Sequence, residues 1–265
     1  MRSKYALRFL ALGYLALLLG IPVVLVFINA FQDGIASAWD AVTTPEAQHA
    51  FYLTMVMVVV AVPLNTVFGV LCALAVVRQR FRGRALLNAM VDLPFAVSPV
   101  VVGLALLLVY GRRDGWVGEW LAERGIQVIF STPGMILATM FVSLPFVVRE
   151  VIPVLREIGT EQEQAAATLG AGAFQTFFRV TLPAIRWGVA YGVVLTTARA
   201  LGEFGAVSVV SGKLSGRTET ATLFVENRFQ RFDETGAYAA SVVLALLALA
   251  TLLAMNLIKP KEARG

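Results

Sequence analysis

Two charged residues, Arg199 and Glu203, stand inside an otherwise apolar run at 187–210 of this 265-residue chain. Four residues is about one helical turn, so a guanidinium and a carboxylate share a helix face and can pair. An ionisable group at membrane depth costs about 2.5–3.5 kcal/mol on insertion scales and is a functional candidate by default. The chemistry on offer is reversible anion binding. Arg199 would give a passing oxyanion transient donors, and Glu203 would keep the complex weak enough to release. The same spacing suits a purely structural pair that neutralises itself and fixes the bundle. Covalent chemistry has little to work with. One histidine, His49, and one cysteine, Cys72, exclude a two-histidine zinc helix, a cysteine metal cluster and an intrachain disulfide. There is no G-x-S-x-G elbow, and no lysine lies in an apolar run to activate a serine. Gly212 and Lys213 resemble the end of a phosphate-binding loop, but Val207 and Leu214 stand where that loop needs glycine and Ser or Thr. We read a non-enzyme that itself hydrolyses no ATP.

The elements that must position Arg199 and Glu203 follow from composition. The chain is 58% hydrophobic and 15% charged, with a mean hydropathy of +0.77. Soluble domains carry about a quarter charged residues, so the totals indicate a membrane protein. Crossing about 30 Å of hydrocarbon takes roughly 20 apolar residues. Stretches 9–30, 54–77, 93–110, 132–148, 187–210 and 236–258 meet that need, and we expect six transmembrane helices in one domain, 1–265. The first run is longer than a signal-peptide core and lacks a small residue before a cleavage site, so we expect it to be retained. Six crossings put both termini on one side. That side gathers fourteen basic residues, including the cluster RQRFRGR (78–84), against seven on the other. The positive-inside rule then assigns both termini to the cytosol. The net charge of +5 follows from that topology, and nucleic-acid binding is not expected. Trp116, Trp120 and Leu121 suit one face of a short helix at the outer lipid interface. Pro94 and Pro99 should bend or interrupt the third span, freeing carbonyls toward protein or a cavity. Beside Arg199 and Glu203 as translocation-pathway candidates, they could help form a gate, or be plain kinks without gating.

One stretch breaks the apolar pattern: EQEQAAATLGAGAFQTFFRVTLPAI, within a cytosolic loop at 160–185. Thr160 with Glu163 has the spacing of a capping box. Glu161 and Glu163 suit a positive helix end, and three alanines favour helix. Gly170 and Gly172 should stop it, since glycine tolerates the positive φ of a C-terminal cap. Phe174, Phe177 and Phe178 recur as one apolar face of a second short helix, ended by Pro183. Such a unit suits docking, or burial against the protein's own spans.

The pattern resembles the EAA loop of membrane subunits of ATP-binding-cassette (ABC) importers: Glu-Ala-Ala, three residues, Gly, nine residues, Ile, one residue, Leu-Pro. Here it reads Gln164-Ala165-Ala166, Gly170, Val180, Leu182-Pro183. Gln164 replaces the leading acid, and Glu161 or Glu163 stands near enough to substitute. ARALGEFGAVSVVSG (198–212), DLPFAVSPVVVG (92–103) and LPFVVREVIPVL (144–155) are similar to sulfate/thiosulfate permeases, most to their CysW-type subunits. The resemblance implies an all-α type I importer (MetI-like) transmembrane domain in the bacterial inner membrane. It implies a coupling helix made by Glu161, Glu163, Gln164, Ala165, Ala166, Gly170, Leu182 and Pro183, seated in a cytosolic ATPase dimer. ATP and Mg would be used by that ATPase, with no cofactor held by this chain. A CysT-type second permease subunit, an extracytoplasmic sulfate-binding protein and membrane lipid complete the implied partners. Molybdate or tungstate permeases share the style of these segments, and a stand-alone secondary anion carrier remains the rival of another class.

Overall fold

The computed structural model describes residues 2–258, and side-chain surroundings for 7–254. Lys259, Lys261 and Arg264, counted above on the cytosolic side, lie outside the described residues, as do the side chains of Arg2 and Lys4. Every regular element described is helical. Helices α1 (Arg2–Leu15) and α2 (Ile21–Phe31) are joined by a π-helical turn, Ala16–Gly20. After α3 (Ile35–Val42) comes α4 (Pro45–Arg78). Its start is written locally: Thr44 Oγ1 accepts from the Ala47 amide at 3.3 Å, and Pro45 opens the first turn. Then follow α5 (Arg84–Ala96), α6 (Pro99–Tyr110), α7 (Gly118–Glu123) and α8 (Thr132–Glu157). A short polar pair, α9 (Glu161–Thr168) and α10 (Ala173–Thr176), leads through a second π-helical turn, Phe177–Thr181, into α11 (Leu182–Leu201). The chain ends in α12 (Gly205–Val210), α13 (Ala221–Gln230) and α14 (Glu234–Ile258).

Among the described residues, four helical stretches are long and apolar enough to cross a membrane: Leu7–Phe31, Pro45–Arg78, Thr132–Glu157 and Glu234–Ala254. The α5–α6 pair makes a fifth if its halves, bent by 114°, count as one. The third expected span is interrupted, as its prolines suggest, and the fifth is broken where no break was expected. The run 93–110 is broken at Val97 and Ser98, where Pro99 starts a new helix and the residue before a proline avoids helical backbone. The run 187–210 is broken between Leu201 and Gly205, and α11 is diluted by Arg186 and Arg199.

The core is built on α4 and α8, which run side by side in the same direction. Asn65 donates to Ser143 Oγ and Met140 O, each at 2.9 Å, and Arg78 reaches Leu155 O at 3.0 Å. Helix α11 returns antiparallel, its Gly192 against Val147 and its Gly188 against Val151. A Cβ on Gly69 or Gly192 would come within 2.8 or 2.7 Å of Val147, so that valine sits between two bare backbones. Close approach through small residues is how helices associate in lipid, where no hydrophobic force draws them together. One apolar cluster (Met57, Val102, Met135, Val207) fills the end where α4 and α8 begin, and a second (Val76, Val91, Val151, Leu155) the end where they finish.

Candidate functional site

The two breaks meet. Helices α6 and α12, the short halves that follow them, pack directly: a Cβ on Gly103 would sit 2.8 Å from Ala206 O, and one on Gly205 2.8 Å from Pro99 Cβ. Beside this junction a cavity of about 330 Å³ is lined by Pro94, Ser98, Pro99, Phe146 and Arg199, among others. Pro94 is buried within α5 and Pro99 opens α6, so both expected pathway prolines lie at one wall. Phe95 and Phe146 meet edge to face, ring centres 5.5 Å apart, on the same wall.

Arg199 and Glu203 pair as their spacing suggests, Nη2 to Oε2 at 2.7 Å, but they are not equivalent. The arginine side chain is 29% exposed and lines the cavity, whereas the glutamate is 1% exposed. Glu203 Oε1 accepts from the Ala206 amide at 2.9 Å, and Glu203 O accepts from Thr222 Oγ1 at 2.8 Å. Its carboxylate therefore caps α12, satisfying an amide that a helix start leaves orphaned, while its backbone carbonyl fastens α13. The guanidinium of Arg199 supplies the countercharge at Oε2. One partner of the pair is built into the scaffold, and the other is presented to a cavity.

At the end where α4 and α8 finish, the polar pair α9–α10 projects from the bundle. Gly159 (φ +63°) leads into α9 and Gly170 (φ +85°) leads out. Gly170 N donates to Ala167 O and Ala171 N to Ala166 O, both at 3.0 Å, the paired bonds of a Schellman stop. Glycine is required there because a side chain at that φ is strained. The capping box is not formed, and this expectation is corrected. Thr160 Oγ1 accepts instead from Gln164 Nε2 at 3.1 Å, and Glu163 turns away from the cap. It faces Arg78, Nε to Oε2 at 2.9 Å, and accepts from Thr181 Oγ1 at 2.9 Å. Glu163 is thus half-buried and already paired within the chain. Glu161, Gln164 and Ala165 remain exposed, with Ala166 half-buried. Leu169 and Phe174 are 89% and 79% exposed. The three phenylalanines stack on one another, but only Phe177 packs into the core. Leu182 and Pro183 open α11 below them.

Sequence reasoning missed Arg78, which it counted only as a topogenic charge, and it missed Thr181. Neither lies near Glu163 in the chain, and no local pattern announces their meeting. It also missed the ion pair of Arg149 with Asp92, which ties α5 to α8. The tryptophan face is only partly helical, since Trp116 precedes α7.

A model of the family described as binding-protein-dependent transport system inner membrane component matches residues 65–264. The sulfate transport system permease protein CysW of Synechocystis sp. is 53% identical over 260 residues, covering 98% of this chain and 94% of its own. The sulfate transport system permease protein CysT of Escherichia coli is 39% identical over 254 residues, covering 96% and 91%. The crystal structure of a bacterial ABC transporter involved in the import of the acidic polysaccharide alginate matches with a TM-score of 0.81. It is 19% identical and covers 96% of this chain and 93% of its own, a likeness of fold alone.

Proposed function

The chain belongs to the family of binding-protein-dependent transport system inner membrane components, and we propose that it is the permease subunit of an ATP-driven sulfate importer of the CysW type. The observation that carries this reading is the 53% identity to a CysW sulfate permease along 98% of the chain. The protein is a multi-pass membrane component and a transport subunit, with ATP hydrolysis belonging to a separate subunit that uses ATP and Mg. Its partners in this reading are a CysT-type permease subunit, an ATPase dimer and an extracytoplasmic sulfate-binding protein. Both termini and the α9–α10 element face the cytosol.

Transport needs no covalent step, only two states with different affinities for the substrate on the two sides. In this reading Arg199 is the transient donor: it lines a cavity at the junction of two broken spans, and a planar guanidinium suits an oxyanion. Glu203 supplies the opposing charge that keeps the site from trapping sulfate. The exposed face of α9 with Leu169 and Phe174 seats in the ATPase and receives its closing movement. Capture by the soluble binding protein sets specificity.

The test is reconstitution of the purified complex in liposomes with labelled sulfate. Uptake is expected only with internal ATP and external binding protein, and excess molybdate should leave it unchanged. ATP-independent uptake by this chain alone would overturn the reading.

A further inference from the structure

The tie between Glu163 and Arg78 has a consequence for how movement enters the membrane helices. Three neighbours of Glu163, namely Glu161, Gln162 and Gln164, are exposed, while its own side chain is 21% exposed and turned inward. Two segments meet it directly, through Arg78 and Thr181, and Arg78 in turn holds two more. Arg78, in the last turn of α4, places Nε 2.9 Å from Glu163 Oε2 and Nη2 3.3 Å from Oε1. The same guanidinium donates to Leu155 O in the last turn of α8 at 3.0 Å and to Gly159 O at 2.6 Å. Thr181, at the mouth of α11, donates to the Glu163 carboxylate. Carbonyls at a helix end lack amide partners within the helix, so a guanidinium there is a natural clamp.

Otherwise α9 joins α8 through Gly159 and α10 through Gly170, both at positive φ, and packs on α10 and the π-helical turn. The Glu163 carboxylate links the body of α9 to Arg78 and Thr181 without passing through those joints. We propose that Glu163 is a positioning residue for coupling: its carboxylate, clamped by Arg78 and Thr181, carries the ATPase's movement from α9 directly to α4, α8 and α11. Glu163 is not a docking charge. The inference rests on the reading of α9 as the ATPase-facing element.

Glu163→Gln keeps the shape and an acceptor for Thr181 but removes the charge that holds Arg78. In the complete reconstituted complex, ATP hydrolysis and sulfate uptake are measured together. The wild type must first show ATP-dependent uptake; if it does not, the underlying reading fails and not the positioning role. Given that, the assembled Glu163→Gln complex should still hydrolyse ATP while sulfate moved per ATP falls about fivefold or more, the low end of a typical coupling free energy. A wild-type ratio overturns the proposal, as does a parallel loss of hydrolysis and uptake, which is what loss of docking would give. Should Glu163→Gln not assemble, Thr181→Val decides. It removes one hydroxyl and keeps the ion pair, and is expected to lower the ratio in the same direction. An unchanged ratio there also overturns the proposal.

Discussion

Arg199 and Glu203 divide two tasks that an ion pair usually shares. The carboxylate, buried and capping α12, is a fixed countercharge; the guanidinium, one turn earlier, stays open to a cavity of about 330 Å³. Removing Arg199 altogether would strand a buried carboxylate, and breaking such a pair is strongly destabilising. The informative change is therefore Arg199→Lys, which keeps the charge against Glu203 and loses the planar fork. Charge-assisted hydrogen bonds are worth about 1.5–3 kcal/mol, so an assembled Arg199→Lys complex should import sulfate about tenfold more slowly or worse. Normal uptake by that complex would remove Arg199 from the pathway. Near the leading position of the EAA pattern, Glu163 is paired with Arg78 and Glu161 is the exposed acid of that turn.

At the scale of elements, the broken spans are the departure from a plain bundle. Pro99 forces the first break, and Glu203 stabilises the second by capping the helix that follows it. The first break lines the cavity at Val97 and Ser98, the condition under which non-helical backbone survives at membrane depth. At the second, Glu203 is buried while Gly202 and Phe204 are exposed. The unbroken elements are held by small-residue contact, most tightly around Val147 between Gly69 and Gly192. Gly192→Val would drive branched methyls into the α8 backbone, and overpacking of that kind costs about 1–3 kcal/mol. Thermal unfolding in detergent should begin at lower temperature in this variant. An unchanged transition would mean that α11 and α8 separate easily here.

For the whole molecule, the structure puts the basic loop after α4 and the α9–α10 element at one end, because Arg78 touches Glu163. The loop holding Trp116 belongs to the other end, next to the residues after α12, as the bond from Phe130 N to Val210 O records. Which end is cytosolic is proposed here from charge and can be read with thiols, since Cys72 is the one cysteine of the sequence. In a Cys72→Ala background, an impermeant thiol reagent outside intact cells should label Trp116→Cys, and Glu161→Cys only after permeabilisation. The opposite pattern would invert the topology. Much of this was legible in the residues themselves. Long apolar runs specify membrane helices because hydrocarbon demands internal backbone pairing. Gly170 specifies a stop because only glycine is at ease at that φ, and Arg199 marks itself because charge in lipid is costly. What only the tertiary structure decided was which side chains face one another across distance in the chain. Glu163 meets Arg78 and Thr181 instead of its own cap, and Glu203 is scaffold while Arg199 is presented. Local energies leave those choices nearly even, and the packing of α4, α8 and α11 tips them by bringing a partner to one side of each group and not to the other.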